Sequence, residues 1–308
     1  MPKIPIAELV DGPVGPGVAK KNPIIVADNV SRHFGGLTAV DIDHVEIPSN
    51  AITALIGPNG AGKTTFFNLL TGFDKPNSGR WTFKGENLAG VSAFKVARRG
   101  MVRTFQLTKA LSLMTVIDNM LLGATRQSGE NFFTALVKPA WRSREKEITD
   151  QADFLLAKFK LDTKREDYAA SLSGGQRKLL EMARALMTDP ALVMLDEPMA
   201  GVNPALTQSL LQHILELKDQ GMTVLFVEHD MHVVREIADW VIVMAEGRIV
   251  AEGSPDTVMS DPAVIDAYLG AHHDTDLGTM RGQLEIAQDM DSELIRHEIE
   301  EEAADDQR

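Results

Sequence analysis

The chain contains no cysteine in 308 residues, which excludes disulfides and thiolate metal sites and suits a reducing compartment. It also has no apolar run approaching the roughly 18 residues that span a bilayer, and its first residues lack the apolar core of about 7 to 15 residues that marks a signal peptide. The expectation is a chain that stays in the cytoplasm and meets a membrane only through a partner. Basic residues are the minority: 31 Lys and Arg face 44 Asp and Glu, a net charge of −13. That balance argues against a nucleic-acid binder, which needs a basic stripe to displace counterions. The excess is local, because residues 271–308 hold 12 acids against 3 arginines, so the tail carries −9 and the rest only −4. No internal repeats are present. What remains, 44% hydrophobic and 24% charged, is ordinary for one large α/β domain with a subdomain and tails.

The most informative stretch is Gly57, Pro58, Asn59, Gly60, Ala61, Gly62, Lys63, Thr64, Thr65. An apolar run over residues 51–56 reads as a buried strand before it, and residues 66–70 read as a helix after it that Gly72 can cap. The spacing G-x-x-x-x-G-K-T in that context lets backbone N–H groups approach phosphate oxygens at a helix start, with no Cβ in the way. Lys63 then reaches the β- and γ-phosphates, and the Thr64 hydroxyl is placed for Mg²⁺. These residues imply a nucleoside triphosphate site.

Residues 1–22 carry Pro2, Pro5, Gly12, Pro13, Gly15, Pro16 and Gly17, a spacing that prevents regular elements from propagating and predicts a mobile leader. Residues 24–47 alternate short β-type runs with turn signals, the pattern of antiparallel strands. Phe34, just before Gly35 and Gly36, is either a core aromatic or a face on which adenine stacks. Residues 80–84 read as another strand. From 92 to 187 the period turns mostly helical, in 91–99, 116–122 and 145–159. A helical subdomain, about 107–175, is therefore expected inside the nucleotide-binding core, with Arg103-Thr104-Phe105-Gln106 at its seam.

Leu172-Ser173-Gly174-Gly175-Gln176 precedes a helix over 177–187. Ser173 is placed as its N-cap, and the motif reads as a second anion site or as a tight capped loop without ligand. The apolar strand 192–195 runs into Asp196 and Glu197, and strand 224–227 runs into Glu228, His229 and Asp230. Carboxylates at the carboxyl ends of parallel strands face the crevice of the phosphate loop. Asp196 is thus a candidate for holding Mg²⁺ through water and Glu197 for general base. His229 is either a hydrogen-bonding residue at the sheet edge or a sensor of the γ-phosphate. A strand pair around Glu246-Gly247 and a helix over 262–269 close the domain. The acidic tail reads either as disordered or as partly amphipathic helix.

In that order, the phosphate loop, Gln106, the LSGGQ pentapeptide, Asp196-Glu197 and His229 resemble the ATP-binding-cassette ATPases over about residues 24–270. Phe34-Gly35-Gly36-Leu37, Arg103-Thr104-Phe105-Gln106, the run from Glu197 through Asn203 to Pro204, Val227 to Met231 and Ala267-Tyr268-Leu269-Gly270 look like the LivG-type subunit of branched-chain amino acid importers. The urea-importer ATPase is a close relative. Asn203 departs from the Asp that many members carry there. The resemblance implies a P-loop core with mixed sheet and flanking helices, an antiparallel β subdomain and an inserted helical subdomain, in a domain over 23–270 followed by the tail 271–308. It implies ATP and Mg²⁺ as ligands, with Phe34, Val40, the phosphate loop, Gln106, Ser173, Gly174, Gly175, Gln176, Asn203 and His229 on nucleotide. It assigns catalysis to Lys63, Gln106, Glu197 and His229, and metal to Thr64, Gln106 and Asp196. It further implies head-to-tail pairing with a second ATP-binding subunit, LivF-like or a second copy, and two transmembrane permease subunits gripped by the helical subdomain. A solute-binding protein outside the membrane would act only indirectly, and the chain itself would sit on the cytoplasmic face. A soluble cassette protein acting on ribosomes or DNA is the reading from another class; it usually resembles two fused cassettes or carries a long coiled coil, and neither is present.

Overall fold

β3, Ile52–Ile56, is buried at every position, so only an interior place in a sheet covered on both faces satisfies it. In the computed structural model, which describes residues 3–104, 111–124 and 138–270, β3 pairs in parallel with strands on both sides. Those are β8 (Thr223–Val227) and β9 (Trp240–Ala245), each also fully buried. The six-stranded sheet runs β10-β9-β3-β8-β7-β6, with β6 at Met101–Arg103, β7 at Leu192–Asp196 and β10 at Arg248–Gly253. All its pairs are parallel except β9 with β10. Because β3, β7 and β8 are parallel and in register, Leu55, Val227 and Asp196 lie in one row across the sheet. The segments that follow them therefore leave the sheet at one edge.

A second, four-stranded sheet has the order β2-β1-β4-β5. Its strands are β1 (Pro23–Phe34), β2 (Leu37–Pro48), β4 (Ser78–Phe83) and β5 (Glu86–Asn87), all antiparallel. Ile25, Val45, Ile47, Trp81 and Phe83 join Phe66, Phe67, Leu69 and Leu70 in one core. The antiparallel subdomain and the parallel core thus share their hydrophobic centre.

The helices are α1 (Ile6–Leu9), α2 (Lys63–Leu70), α3 (Ala93–Arg98), α4 (Val116–Leu121), α5 (Lys138–Lys158), α6 (Gly174–Leu186), α7 (Pro204–Asp219), α8 (Met231–Ile237), α9 (Pro255–Met259) and α10 (Pro262–Gly270). Two of them start three residues before the apolar periodicity does, at Lys63 rather than Phe66 and at Gly174 rather than Arg177. Their first turns are built from phosphate-loop and glycine residues, which show no apolar period. The helical stretch after residue 92 also contains β6, a strand of three residues too short to register as alternation. Gln106, Leu107 and the tail 271–308 lie outside the described residues. The chain divides into two compact units after Val264. No helix among the described residues is long and apolar enough to cross a membrane.

Residues 3–22 differ from the mobile leader expected of them. Leu9 and Val10 are buried, and Val10 bridges to Lys20. The Ile4 N–H donates to Asp239 Oδ1 at 2.9 Å and the Gly17 N–H to Glu252 Oε1 at 2.8 Å. Lys20 Nζ lies 2.7 Å from Glu252 Oε2 with both side chains fully buried. Trp240 Nε1 donates to the same oxygen at 3.0 Å, and the Lys20 ammonium sits 4.6 Å from the Trp240 ring centroid. Prolines and glycines limit helix here to the single turn of α1, yet a strap held by side chains and single backbone bonds needs no more.

Truncating one member of a fully buried ion pair leaves the other charge without compensation, at a cost of about 3–5 kcal/mol. Lys20→Ala is therefore expected to lower the unfolding free energy by about 3 kcal/mol in a denaturant titration. A loss under about 1 kcal/mol would mean that the strap contributes little to the fold.

Candidate active site

The loop after β3 is shaped by its neighbours. Gly57 has φ +148°, and a Cβ there would lie 2.0 Å from the Met244 carbonyl oxygen; at Gly62, with φ +100°, it would lie 2.2 Å from the Ala39 carbonyl oxygen. Both contacts are with backbone, so no side chain fits. Gly60, at φ +81°, faces open space. The loop is thus wedged between the ends of β9 and β2 while its outer turn stays clear. Gly62 is the N-cap of α2 and has no side chain with which to bond the first helical N–H groups, which leaves the positive end of that helix to an anion. Pro58 is half-buried, Asn59 exposed and Ala61 buried; Thr64 is exposed and Thr65 half-buried. The glycine cradle and the uncapped helix start fit a polyphosphate.

Lys63 folds back onto this loop, its Nζ donating to the carbonyls of Gly57 at 2.7 Å and Pro58 at 2.9 Å. Burial lowers its pKa, and the charges of Glu197 and Asp196 act against that fall. Both carboxylates thus stand close enough to bear on the lysine. Asp196 is the last residue of β7 and is 8% exposed; its Oδ2 accepts from an Arg103 guanidinium nitrogen at 2.5 Å. Glu197 follows with φ +47°, a left-handed conformation that costs a non-glycine residue on the order of 1 kcal/mol. Its N–H donates to the Val227 carbonyl at 3.0 Å, tying the ends of β7 and β8 together.

His229 Nδ1 lies 3.8 Å from Glu197 Oε1, and the histidine side chain is 65% exposed. Its two acidic neighbours serve structure. Glu228 is buried and accepts from the N–H groups of Met199 at 3.0 Å and His229 at 3.2 Å. Burial raises its pKa and those two bonds oppose the rise. Asp230 caps α8 by accepting from the His232 and Val233 N–H groups. Of the three, His229 is the one that lies beside Glu197. Among the described residues no group of three or more His, Cys, Asp or Glu gathers as a metal cluster. A hydroxyl at Thr64 and a carboxylate at Asp196 are hard oxygen donors few in number, which suits Mg²⁺ completed by phosphate oxygens and water.

Ser173 caps α6: its Oγ accepts from the Gln176 N–H, and the Gln176 side chain accepts from the Ser173 N–H, a capping box. Gly174 is exposed. A Cβ on Gly175 would meet Leu206 Cδ2 at 1.6 Å, so this glycine packs on the first turn of α7. Asn203 caps that helix, its Oδ1 accepting from the Leu206 N–H at 3.0 Å; the amide thus has a structural use for its acceptor. Lys178 Nζ donates to the carbonyl of Pro198 at 3.0 Å and to that of Ala200. Burial lowers the Lys178 pKa, against the pull of Glu228, Glu181 and Glu197. The pentapeptide is therefore joined to the segment after Glu197, while no described contact joins Ser173–Gln176 to the phosphate loop.

Phe34 is 48% exposed, and the Arg32 guanidinium lies over its ring at 4.5 Å from the centroid. Arg32 Nε in turn donates to Asp74 Oδ2 at 2.8 Å. Phe34 is thus a surface aromatic, not a core one. Val40 is fully buried and offers a nucleotide no open surface. Gln106 falls outside the described residues. The sequence assigned no role to Arg103, Lys178 or Arg32. Arg103 carries a signal only in standing beside Thr104-Phe105-Gln106; the other two carry none that a lone surface cation would not.

Similarity to known proteins is extensive. The family described as ABC transporter matches residues 40–200, and the branched-chain amino acid ATP-binding cassette transporter family matches residues 248–274. The probable branched-chain amino acid transport ATP-binding protein LivG of Archaeoglobus fulgidus is 41% identical over 248 residues, covering 80% of this chain and 96% of that protein. The high-affinity branched-chain amino acid transport ATP-binding protein BraF of Pseudomonas aeruginosa is 40% identical over 250 residues, covering 80% and 98%. Among solved structures, the ADP conformation of MJ1267, an ATP-binding cassette of an ABC transporter, aligns with a TM-score of 0.70 at 38% identity, over 80% of this chain and 99% of that one. On the family match, the identity to these relatives and the shared fold, the chain belongs to the ATP-hydrolysing ATP-binding cassettes of ABC transporters.

Proposed function

We propose that this chain energises the import of branched-chain amino acids, as the ATPase subunit on the cytoplasmic face of a membrane transporter. The observation that carries the ATPase reading is the common edge at which Lys63, Asp196, Glu197 and His229 leave β3, β7 and β8. The solute follows from relatives named for branched-chain amino acid transport at about 40% identity and from the match at residues 248–274.

In this reading the phosphate loop binds the triphosphate through its N–H groups and the start of α2, and adenine stacks on the face of Phe34 away from Arg32. Lys63 exchanges its two carbonyl acceptors for β- and γ-phosphate oxygens. Mg²⁺ would be held by Thr64 and Asp196, with Gln106 assigned to it by the family resemblance alone, and when bound it would neutralise charge on the phosphates. Glu197 takes the proton of the attacking water, and His229, in reach of both Glu197 and solvent, donates toward the γ-phosphate. Since Ser173, Gly174, Gly175 and Gln176 form an uncharged helix start with no described contact to the chain's own loop, we assign them to the ATP of a second ATP-binding subunit placed head to tail. Asn203 and Lys178 then link that motif to Glu197. The helical residues between β6 and β7 would grip two permease subunits.

Glu197→Gln is expected to bind ATP with near-native affinity and to hydrolyse it at least ~100-fold more slowly, the lower end of what a general base contributes. Turnover near that of the unaltered protein would remove Glu197 from the role. In cells whose only copy carries Lys63→Ala, uptake of labelled leucine is expected to be lost while uptake of labelled urea is unchanged. Loss of urea uptake alone would reassign the solute with the ATPase intact, and unchanged uptake of both would overturn the transport reading.

A further inference from the structure

We propose that Arg103 is a positioning residue that sets the separation of the two side chains assigned to the divalent cation; this rests on the ATPase reading above. Arg103 ends β6, one strand beyond β7 in the sheet. One of its terminal nitrogens donates to Asp196 Oδ2 at 2.5 Å and the other to Asn68 Oδ1 at 2.6 Å. Its guanidinium carbon also lies 5.5 Å from the centroid of Phe67. The side chains of Arg103 and Asp196 are 5% and 10% exposed, so the pair is held inside the protein. One planar group therefore joins the end of β7 to two consecutive residues of α2.

The consequence depends on helical geometry. Asn68 and Thr64 are four residues apart on α2 and so share a face. Fixing Asn68 relative to Asp196 fixes Thr64 relative to Asp196 as well, and these are the two protein groups assigned to the cation. A small octahedral ion such as Mg²⁺ demands near-ideal oxygen distances, so the rigidity of this link bears on metal affinity. Arg103 touches neither nucleotide nor cation in this scheme; it acts through Asp196 and Asn68. A lysine would keep the positive charge beside Asp196, but its single ammonium lacks the fork that reaches two acceptors in one plane. A role in charge alone would thus survive Arg103→Lys, and a role in spacing would not.

The test measures binding of a fluorescent ATP analogue to the full chain, once in Mg²⁺ and once in EDTA. In Arg103→Lys, affinity in Mg²⁺ is expected to fall about tenfold, the lower end for loss of a partner behind a metal ligand, with affinity in EDTA held within about twofold. Asn68→Ala, which leaves the ion pair in place, is expected to shift the same ratio in the same direction, and it decides the question if Arg103→Lys does not fold. Equal losses with and without Mg²⁺ would mark a merely structural residue, and unchanged affinity in both conditions would mark a simple counter-ion; either result overturns the proposal. An unaltered protein that binds the analogue in neither condition would overturn the ATPase reading, and this inference with it.

Discussion

Parallel pairing of β3, β7 and β8 is the constraint from which the site follows. Three buried strands in register must end together, and whatever follows them is delivered to one edge. The phosphate loop, Glu197 and His229 are consequences of that alignment, since none of them is held near the others by sequence. The same pairing explains the glycines of the loop, because β9 runs beside β3 and its carbonyl at Met244 leaves no room for a Cβ on Gly57. Packing and phosphate recognition thus demand the same residue at one position. The two requirements reinforce each other.

Charge inside the site is arranged so that few groups remain uncommitted. Lys63 rests on loop carbonyls, Asp196 on Arg103, Lys178 on the carbonyls after Glu197, and Glu228 on two backbone N–H groups. Each buried charge has hydrogen-bonded company, which is the condition for keeping it charged away from water. Glu197 and His229 lie 3.8 Å apart beside these groups, one in a left-handed backbone conformation and the other largely exposed. Local backbone strain such as that at Glu197 is of the kind that clusters at functional sites.

What was legible in the sequence is what is local. The phosphate loop, the Ser173 cap and the strand ends at Asp196 and Val227 each depend on a few consecutive residues, and the structure places them where their spacing puts them. The links from Arg103 to Asp196, 93 residues apart, and from Lys178 to Ala200 were not legible, because a lysine or arginine on its own element has no period or motif that names its partner. Phe34 could be read as core or surface and resolves to surface only once β1 and β2 are paired. The segment 3–22 was misread for a different reason. Proline and glycine report on regular backbone, and this strap is held by side chains such as Lys20 instead.

That strap also has a consequence in time. Ile4 bonds Asp239 and Gly17 bonds Glu252, partners 235 residues further along the chain. On a ribosome adding about 5–20 residues per second, Ile4 and Gly17 wait roughly 12 to 47 seconds for their partners to be made. Residues 3–22 therefore dock only after β9 and β10 have been made, and the strap is fastened late although its residues are made long before its partners.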